Sequence, residues 1–284
     1  MSNSPWRLLR TGAASGALNM AVDEAILDSV AAGSSPPTLR LFTWQPACLS
    51  LGYFQPLAEV DVAQCARRGI DVVRRPTGGS AILHDRELTY SLAAPQTDPH
   101  LQGDLLTSYR SIAAVLVRAL RDLGAEVTLA PTPSDGQPET GPRQPSEAHR
   151  RDRPVPCFVR PAGYEILAHG KKLVGSAQVR RGSALLQHGA IPLDGDVAAI
   201  CPLLAQPPSE QEQTAVQLRL SATTLSRAAG RTVTVEEAAR AIAAAFIAVW
   251  QVALEPADLS PQERLTAERL VQDKYANQAW TGSR

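Results

Sequence analysis

Residues 157–189 read CFVRPAGYEILAHGKKLVGSAQVRRGSALLQHG, and their reading decides the fold class. Three strand-like runs, 162–168, 172–179 and 183–193, are separated by turn residues at His169-Gly170 and at 180–182. Alternation with a period of two, broken by short turns, predicts three strands folding back on one another. Reactive and backbone-permissive residues are set into these strands. Cys157 follows Pro156, Lys172 precedes the small-residue run Gly175-Ser176-Ala177, and His188-Gly189 closes the stretch. A thiolate rather than a thiol attacks carbonyls, so a nucleophilic cysteine needs a cation or a base beside it. Lys172 comes to lie opposite Cys157 if the first strand returns through the turn at 169–170, which makes the two a candidate reactive pair. Glycine and alanine in strand sequence suit close approach by a ligand or by another backbone.

The second informative stretch is RRPTGGSAILHDRELTYS, residues 74–91. Pro76, Gly78 and Gly79 require a tight turn after a strand and leave backbone N–H groups open to a ligand. The turn matches neither a phosphate-binding P-loop nor a dinucleotide fingerprint, so an ordinary hairpin remains the alternative. Arg74 and Arg75 beside it suit a carboxylate, carbonyl or phosphate oxygen. His84 and His188 each stand at a strand end beside turn residues, where core, hydrogen-bonding and catalytic roles are all open. Asp85 and Glu165 read as structural.

Around these stretches the chain alternates strands and helices. Residues 15–32 place Leu18, Ala21, Val22, Ala25, Ile26 and Val30 on one helical face, which leaves Asn19, Asp23 and Glu24 as solvated surface. Residues 38–44 and 47–52 read as a strand pair broken at Pro46, and 59–68 as a short helix with Cys65 inward. A strongly amphipathic helix spans 104–123, and 126–129 is a strand. Beyond Asp194 the pattern predicts a short helix at 197–204, a polar loop at 207–213, a short helix at 221–228 and a long one at 235–254. Thr234 caps the long helix, and Ser260-Pro261 opens a last one. Residues 131–156 carry seven prolines and almost no apolar side chains. Such a segment cannot offset its ordering entropy by burial, and it reads as a flexible insert in which His149 and Arg150, Arg151 and Arg153 are solvated.

Composition narrows the function classes. With 28 basic and 28 acidic side chains among 284 residues, the formal charge is zero and gives no general attraction to nucleic acid or membrane. Neither a signal peptide nor an apolar run of membrane-spanning length is visible, which predicts a cytoplasmic protein. Four cysteines at 48, 65, 157 and 201 form no CxxC pair. In that compartment they argue against a disulfide framework or a structural zinc. Cys48, Cys65 and Cys201 read as buried thiols.

Taken together, RRPTGGSAILHDRELTYS, the spacing CF(x5)YEI(x4)KKLVGSAQ with LLQHG, the early NMAVDEAIL and the late KYANQAW resemble the lipoate/biotin protein ligase superfamily. Within it they are most similar to octanoyltransferases of the LipM type. The resemblance covers about residues 16–280. It implies an α+β fold of mixed, largely antiparallel sheets flanked by helices, like class II aminoacyl-tRNA synthetase and biotin ligase catalytic domains. That domain would span 1–254 with its insert at about 131–156, and 255–284 would form a helical tail. It also implies transfer of an octanoyl group from octanoyl-acyl carrier protein to a lysine of a lipoyl domain, such as the glycine cleavage H protein. Cys157 would carry the acyl group as a thioester and Lys172 would adjust its pKa. No ATP, metal or other cofactor is implied, and neither nucleic acid nor membrane is a partner; a monomer is expected.

The substrate-binding residues implied are Arg75, Gly78, Gly79, His84, Tyr90, Gly175, Ser176, Ala177, His188 and Gly189. Tyr90, Leu83, Val174 and Ala177 are candidates for an apolar acyl tunnel, though each suits plain core. Ser80 stands where the family often has Gly or Arg. An ATP-dependent lipoate–protein ligase and an amidotransferase between two lipoyl domains are the competing enzymatic expectations. In such ligases the cysteine is absent and the equivalent lysine binds lipoyl-adenylate, so Cys157 favours the transferase. A non-enzymatic lipoyl or biotin binder is disfavoured by the Cys157–Lys172 pair.

Overall fold

The computed structural model describes residues 5–130 and 165–284. Its main sheet has eight strands: β1 (Trp6–Ala14), β2 (Thr38–Trp44), β6 (Glu87–Pro95), β7 (Val127–Leu129), β8 (Ile166–Ala168), β9 (Lys171–Arg181), β10 (Ala184–Pro192) and β11 (Leu254–Ala257). They lie in the order β11-β1-β2-β6-β10-β9-β8-β7. β1 runs parallel to both β11 and β2, and every other neighbour is antiparallel. A second sheet orders β4 (Asp71–Arg74), β3 (Cys48–Leu51) and β5 (Ile82–His84). The fold is therefore the expected α+β arrangement of mixed, largely antiparallel sheets.

The helices divide between the faces. α3 (Leu105–Asp122) and α6 (Val235–Trp250) pack on one face of the large sheet, in a core that includes Tyr90, Leu116, Leu185 and Phe246. α1 (Gly16–Ala31) and α7 (Pro261–Leu270) cover the other face, with Phe42, Trp44, Leu186 and Tyr275. α2 (Val62–Arg67) and α4 (Pro208–Ser221) flank the small sheet, and α5 (Leu225–Ala228) and α8 (Gln278–Thr281) are single turns. Capping is as the sequence indicates. Thr234–Glu237 and Ser260–Glu263 close reciprocal capping boxes at the starts of α6 and α7. Among the described residues no helix is long and apolar enough to cross a membrane.

Several expectations are corrected. Asn19, Asp23 and Glu24 are not solvated: they are 0, 0 and 5 % exposed, whereas Leu18 faces solvent. α1 has the large sheet on one side, the small sheet at its start and the C-terminal helices on the other, so a polar stripe is enclosed as well as the apolar face. The runs 38–44 and 47–52 do not pair with each other. β2 takes β1 and β6 as neighbours and β3 takes β4 and β5, so each is already bonded on both edges. Residues 207–213 are not a loop but the start of α4, which opens on a proline and continues in helix-forming Glu, Gln, Ala and Leu. Only a 3₁₀ turn at Cys201–Leu203 forms where a helix over 197–204 is expected. The insert expected at 131–156 lies outside the described residues, as do His149 and its arginine neighbours.

The C-terminal segment is bonded into the strand that leads to the Gly78-Gly79 turn. The Trp280 indole donates to the Arg74 carbonyl at 2.9 Å, and the Arg74 guanidinium donates to the Thr281 carbonyl at 2.7 Å. Lys274 and Tyr275 both bond Glu24 in α1. Deleting residues 278–284 removes an acceptor from the fully buried Arg74. A loss of about 1–3 kcal/mol is expected, measured as the shift in urea midpoint.

Candidate active site

The hairpin of the opening stretch forms as its alternation predicts. β8 and β9 pair through His169 and Gly170, both at positive φ (50° and 75°), a two-residue turn whose twist matches that of the strands. Lys172 is thereby placed opposite Leu167 and buried to 2 % exposure, with its ammonium on the Glu165 carboxylate. Glu165, expected to be merely structural, is thus the partner of the candidate catalytic lysine. Cys157 lies outside the described residues.

The turn at 76–80 is built by Arg75. Its guanidinium donates to the carbonyls of Gly78 at 2.7 Å, Ser80 at 2.9 Å and Ser50 at 3.0 Å. In a trans peptide the carbonyl and the following N–H point in opposite directions. Fixing the Gly78 carbonyl on Arg75 therefore turns the Gly79 N–H away from it. Neither the Gly78 nor the Gly79 N–H has an acceptor among the described residues. Gly79 sits at φ +93°, a conformation only glycine adopts without strain. Arg74 corrects the expectation of paired arginines facing an external anion: its guanidinium bonds the carbonyls of Gly52, Gln55 and Thr281.

Four separate segments converge on one cavity of about 40 Å3 beside this turn. Arg75, Gly78, Gly79, His84, Gly175, Ser176, Ala177, His188 and Gly189 all line it, joined by Met20, Trp44, Ser50 and Thr89. Tyr90 lies on the opposite face of the sheet, in a larger cavity of about 270 Å3 under α3 with Val174 and Glu165. The two cavities share Ser176, whose hydroxyl is 2.7 Å from that of Tyr90. Burial pushes the Tyr90 phenol up to about 12, against hydrogen bonds from Ser176 and Gln187, so it stays protonated. Gly189 permits this contact: a Cβ there would lie 2.4 Å from the Tyr90 ring and 2.7 Å from the Ser176 hydroxyl. Leu83 departs from the expected tunnel and lines a separate cavity with Asp194 and Leu218.

Both histidines are buried and similarly held. His84 has Nδ1 at 2.8 Å from the Glu87 carboxylate and Nε2 at 2.8 Å from the Ser50 hydroxyl, with Trp44 stacked on its ring at 4.0 Å. His188 has Nδ1 at 3.1 Å from Asp23 and Nε2 at 2.7 Å from the Thr77 hydroxyl. Asp23 is the site residue that sequence reasoning missed most plainly. Its signal was its spacing from Asn19, i and i+4 on one helical stripe.

Burial alone would raise the Asp23 carboxyl, but the Arg40 charge and the bonds from His188 and Arg40 hold it below the ordinary range. Burial lowers His188, and Asp23 only partly offsets that. The imidazole is therefore neutral at neutral pH. The three described cysteines, Cys48, Cys65 and Cys201, are buried free thiols. Burial raises Cys48 well above the ordinary value and pushes Cys65 and Cys201 to about 11. They stay in the unreactive class.

A pH dependence follows. The unfolded chain protonates histidine near 6.5 while the folded chain resists it. Stability is therefore complete above that pH and falls as pH drops through 6.5, with a further loss when Asp23 is protonated. Urea midpoints measured between pH 8 and 5 are expected to decline below 6.5, and His188→Gln to flatten that decline.

Comparison with known proteins agrees with this architecture. The lipoyl protein ligase A/B catalytic domain family matches residues 15–247. The chain is 42% identical over 277 residues to an octanoyltransferase LipM of Kyrpidia tusciae, covering 97% of each chain. It is 37% identical to one of Brevibacillus brevis, covering 97% of this chain and 98% of that one. Among solved structures, a bipartite lipoate protein ligase of Thermoplasma acidophilum superposes with a TM-score of 0.77 at 22% identity, over 99% of this chain and 97% of that one. The last likeness concerns the fold.

Proposed function

Given that the chain belongs to the lipoyl protein ligase A/B catalytic domain family, we propose that it is an octanoyltransferase of protein lipoylation that works in two steps through Cys157. The observation that carries the reading is the convergence of nine residues from four segments, each implied by sequence to bind substrate, on one cavity. In the first step the Cys157 thiolate attacks the thioester carbonyl of octanoyl-acyl carrier protein. A new thioester forms and the carrier's phosphopantetheine thiol leaves. In the second, the amine of a lipoyl-domain lysine attacks that thioester. An amide forms, the amine gives up a proton, and the cysteine thiol is released. Thioester exchange is near balanced and amide formation from a thioester runs downhill, so neither ATP nor a metal is needed.

Each step passes through a tetrahedral oxyanion. The Gly79 N–H, turned outward because Arg75 holds the Gly78 carbonyl, and the Gly78 N–H, whose peptide carbonyl at Thr77 is held by the Tyr53 N–H, supply donors of the kind worth about 3–4 kcal/mol each. Lys172 is the cation that would lower the Cys157 thiol, and Glu165 holds its ammonium. Tyr90 and Val174 offer apolar wall for the acyl chain. The acceptor is a lipoyl domain such as the glycine cleavage H protein, the compartment the cytoplasm and the enzyme a monomer.

Intact mass after mixing with octanoyl-acyl carrier protein, without ATP, is expected to rise by one octanoyl group on Cys157, and Cys157→Ser to abolish transfer to a lipoyl domain. No mass gain together with a fully active Cys157→Ser enzyme would sink the reading. Activity dependent on ATP and free lipoate would replace it with a ligase.

A further inference from the structure

The residues of NMAVDEAIL form no part of the cavity wall except Met20, yet Asp23 is completely buried beneath it. Its two oxygens are used differently. Oδ1 accepts from Arg40 at 2.6 Å and from the Ser91 hydroxyl at 2.8 Å. Arg40 is fixed in turn by the carbonyl and side-chain oxygens of Asn19 and by Thr11. That leaves Oδ2 aimed at His188 Nδ1, 3.1 Å away.

A neutral imidazole carries one N–H, and which nitrogen bears it is set by what faces the ring. A carboxylate opposite Nδ1 demands a donor there, because an unprotonated Nδ1 would set two acceptors against each other in a buried space. Nε2 is then the acceptor, and the Thr77 hydroxyl at 2.7 Å donates to it. Thr77 is itself fully buried, and its carbonyl accepts from the Tyr53 N–H at 2.8 Å. The next two residues are Gly78 and Gly79.

We propose that Asp23 is a positioning residue for acyl transfer: by selecting the Nδ1–H tautomer of His188 it makes Nε2 an anchor for Thr77 and so sets the height of the Gly78-Gly79 turn over the cavity. Arg75 fixes the carbonyl side of that turn, and the Asp23–His188–Thr77 link fixes the residue leading into it. The two act on different residues: among the described residues Arg75 bonds Gly78 and Ser80, whereas Thr77 is held through its carbonyl by Tyr53 and through its hydroxyl by His188. The link reaches the turn from α1 and β10, across the boundary between the large sheet and the small one. The inference rests on the two-step reading above, in which those amides face the developing oxyanion.

The test centres on Thr77, because removing Asp23 strands the Arg40 charge and risks the fold. Thr77→Val keeps the shape and deletes the hydroxyl, and Thr77→Ser restores it. Overall octanoyl transfer from octanoyl-acyl carrier protein to a lipoyl domain is measured for each, with thermal midpoints and two-bond nitrogen–proton spectra of the histidine rings. Wild type is expected to show His188 protonated on Nδ1 alone. Thr77→Val is expected to lower kcat about tenfold or more with KM little changed and Tm down by only a few degrees, because the buried His188 Nε2 loses its donor, and Thr77→Ser to recover most of both. A proton on His188 Nε2 in the wild type, or a Thr77→Val enzyme with unaltered kcat, overturns the proposal. If the wild type transfers octanoyl without gaining mass on Cys157, the cysteine reading fails by itself, and the tautomer and the Thr77 series still decide this one.

Discussion

Arg40→Met is expected to cost the fold about 3–5 kcal/mol, the usual result of removing one member of a buried ion pair. Arg40 is 1 % exposed and Asp23 0 %, and their closest atoms are 2.6 Å apart. The guanidinium also bonds two oxygens of Asn19 and the Thr11 hydroxyl, and it lies 3.8 Å over the Phe42 ring. Methionine fills much of that volume but leaves the Asp23 carboxylate without its main counter-charge. Burial would then lift the carboxyl toward its neutral form. Adding Asp23→Leu removes the stranded charge, so the double variant is expected to regain part of the loss. Urea denaturation of the two single variants and the double variant gives the coupling directly. A single-variant loss under about 1 kcal/mol would show that the pair contributes little.

The second large effect concerns activity. Gly52→Ala introduces a Cβ that would lie 1.8 Å from the Gly79 carbonyl oxygen and 2.7 Å from the Gly79 carbonyl carbon. Both atoms belong to the backbone, so no side-chain rotation relieves the contact, and the glycine turn has to retreat by more than about 1 Å. Gly52 itself is not at positive φ, so alanine adds no strain to its own backbone and the cost falls on the contact with the turn. A displacement of that size at groups that bind a transition state costs about a hundredfold in rate. Transfer from octanoyl-acyl carrier protein is expected to fall by that factor, while far-ultraviolet circular dichroism stays native. Wild-type activity in Gly52→Ala would show that the turn does not act in the chemistry. Gly52 therefore limits the turn from the small-sheet side, as Thr77 does from the large-sheet side.

The candidate site was legible in sequence to the extent that its residues sit in short, locally constrained motifs. Gly78-Gly79, Gly175-Ser176-Ala177 and His188-Gly189 announce close backbone approach through residue type alone, and the structure brings them to one cavity. Tyr90 was picked out with them but faces the other side of the sheet, since strand alternation puts it opposite Thr89. Arg74 was misread because a guanidinium beside a turn looks the same in sequence whether it serves a ligand or its own chain's carbonyls. Asp23 and Glu165 were passed over for a related reason. A carboxylate on a helix or at a strand end reads as surface until the packing around it is known.

What the amino-acid order determined by itself is local: the hairpin at His169-Gly170, the capping boxes at Thr234 and Ser260, the amphipathic α3 and the glycine turn. Each follows from periodicity or from backbone preferences acting over a few residues. Only the tertiary structure decided that residues 38–44 and 47–52 part into different sheets, that α1 is enclosed on its polar side, and that Asp23 ends beneath His188. Those outcomes depend on which surfaces meet across long sequence separations. Partners such as Arg40, His188 and Lys274 become neighbours of α1 only once β2, β10 and the C-terminal helices have packed around it.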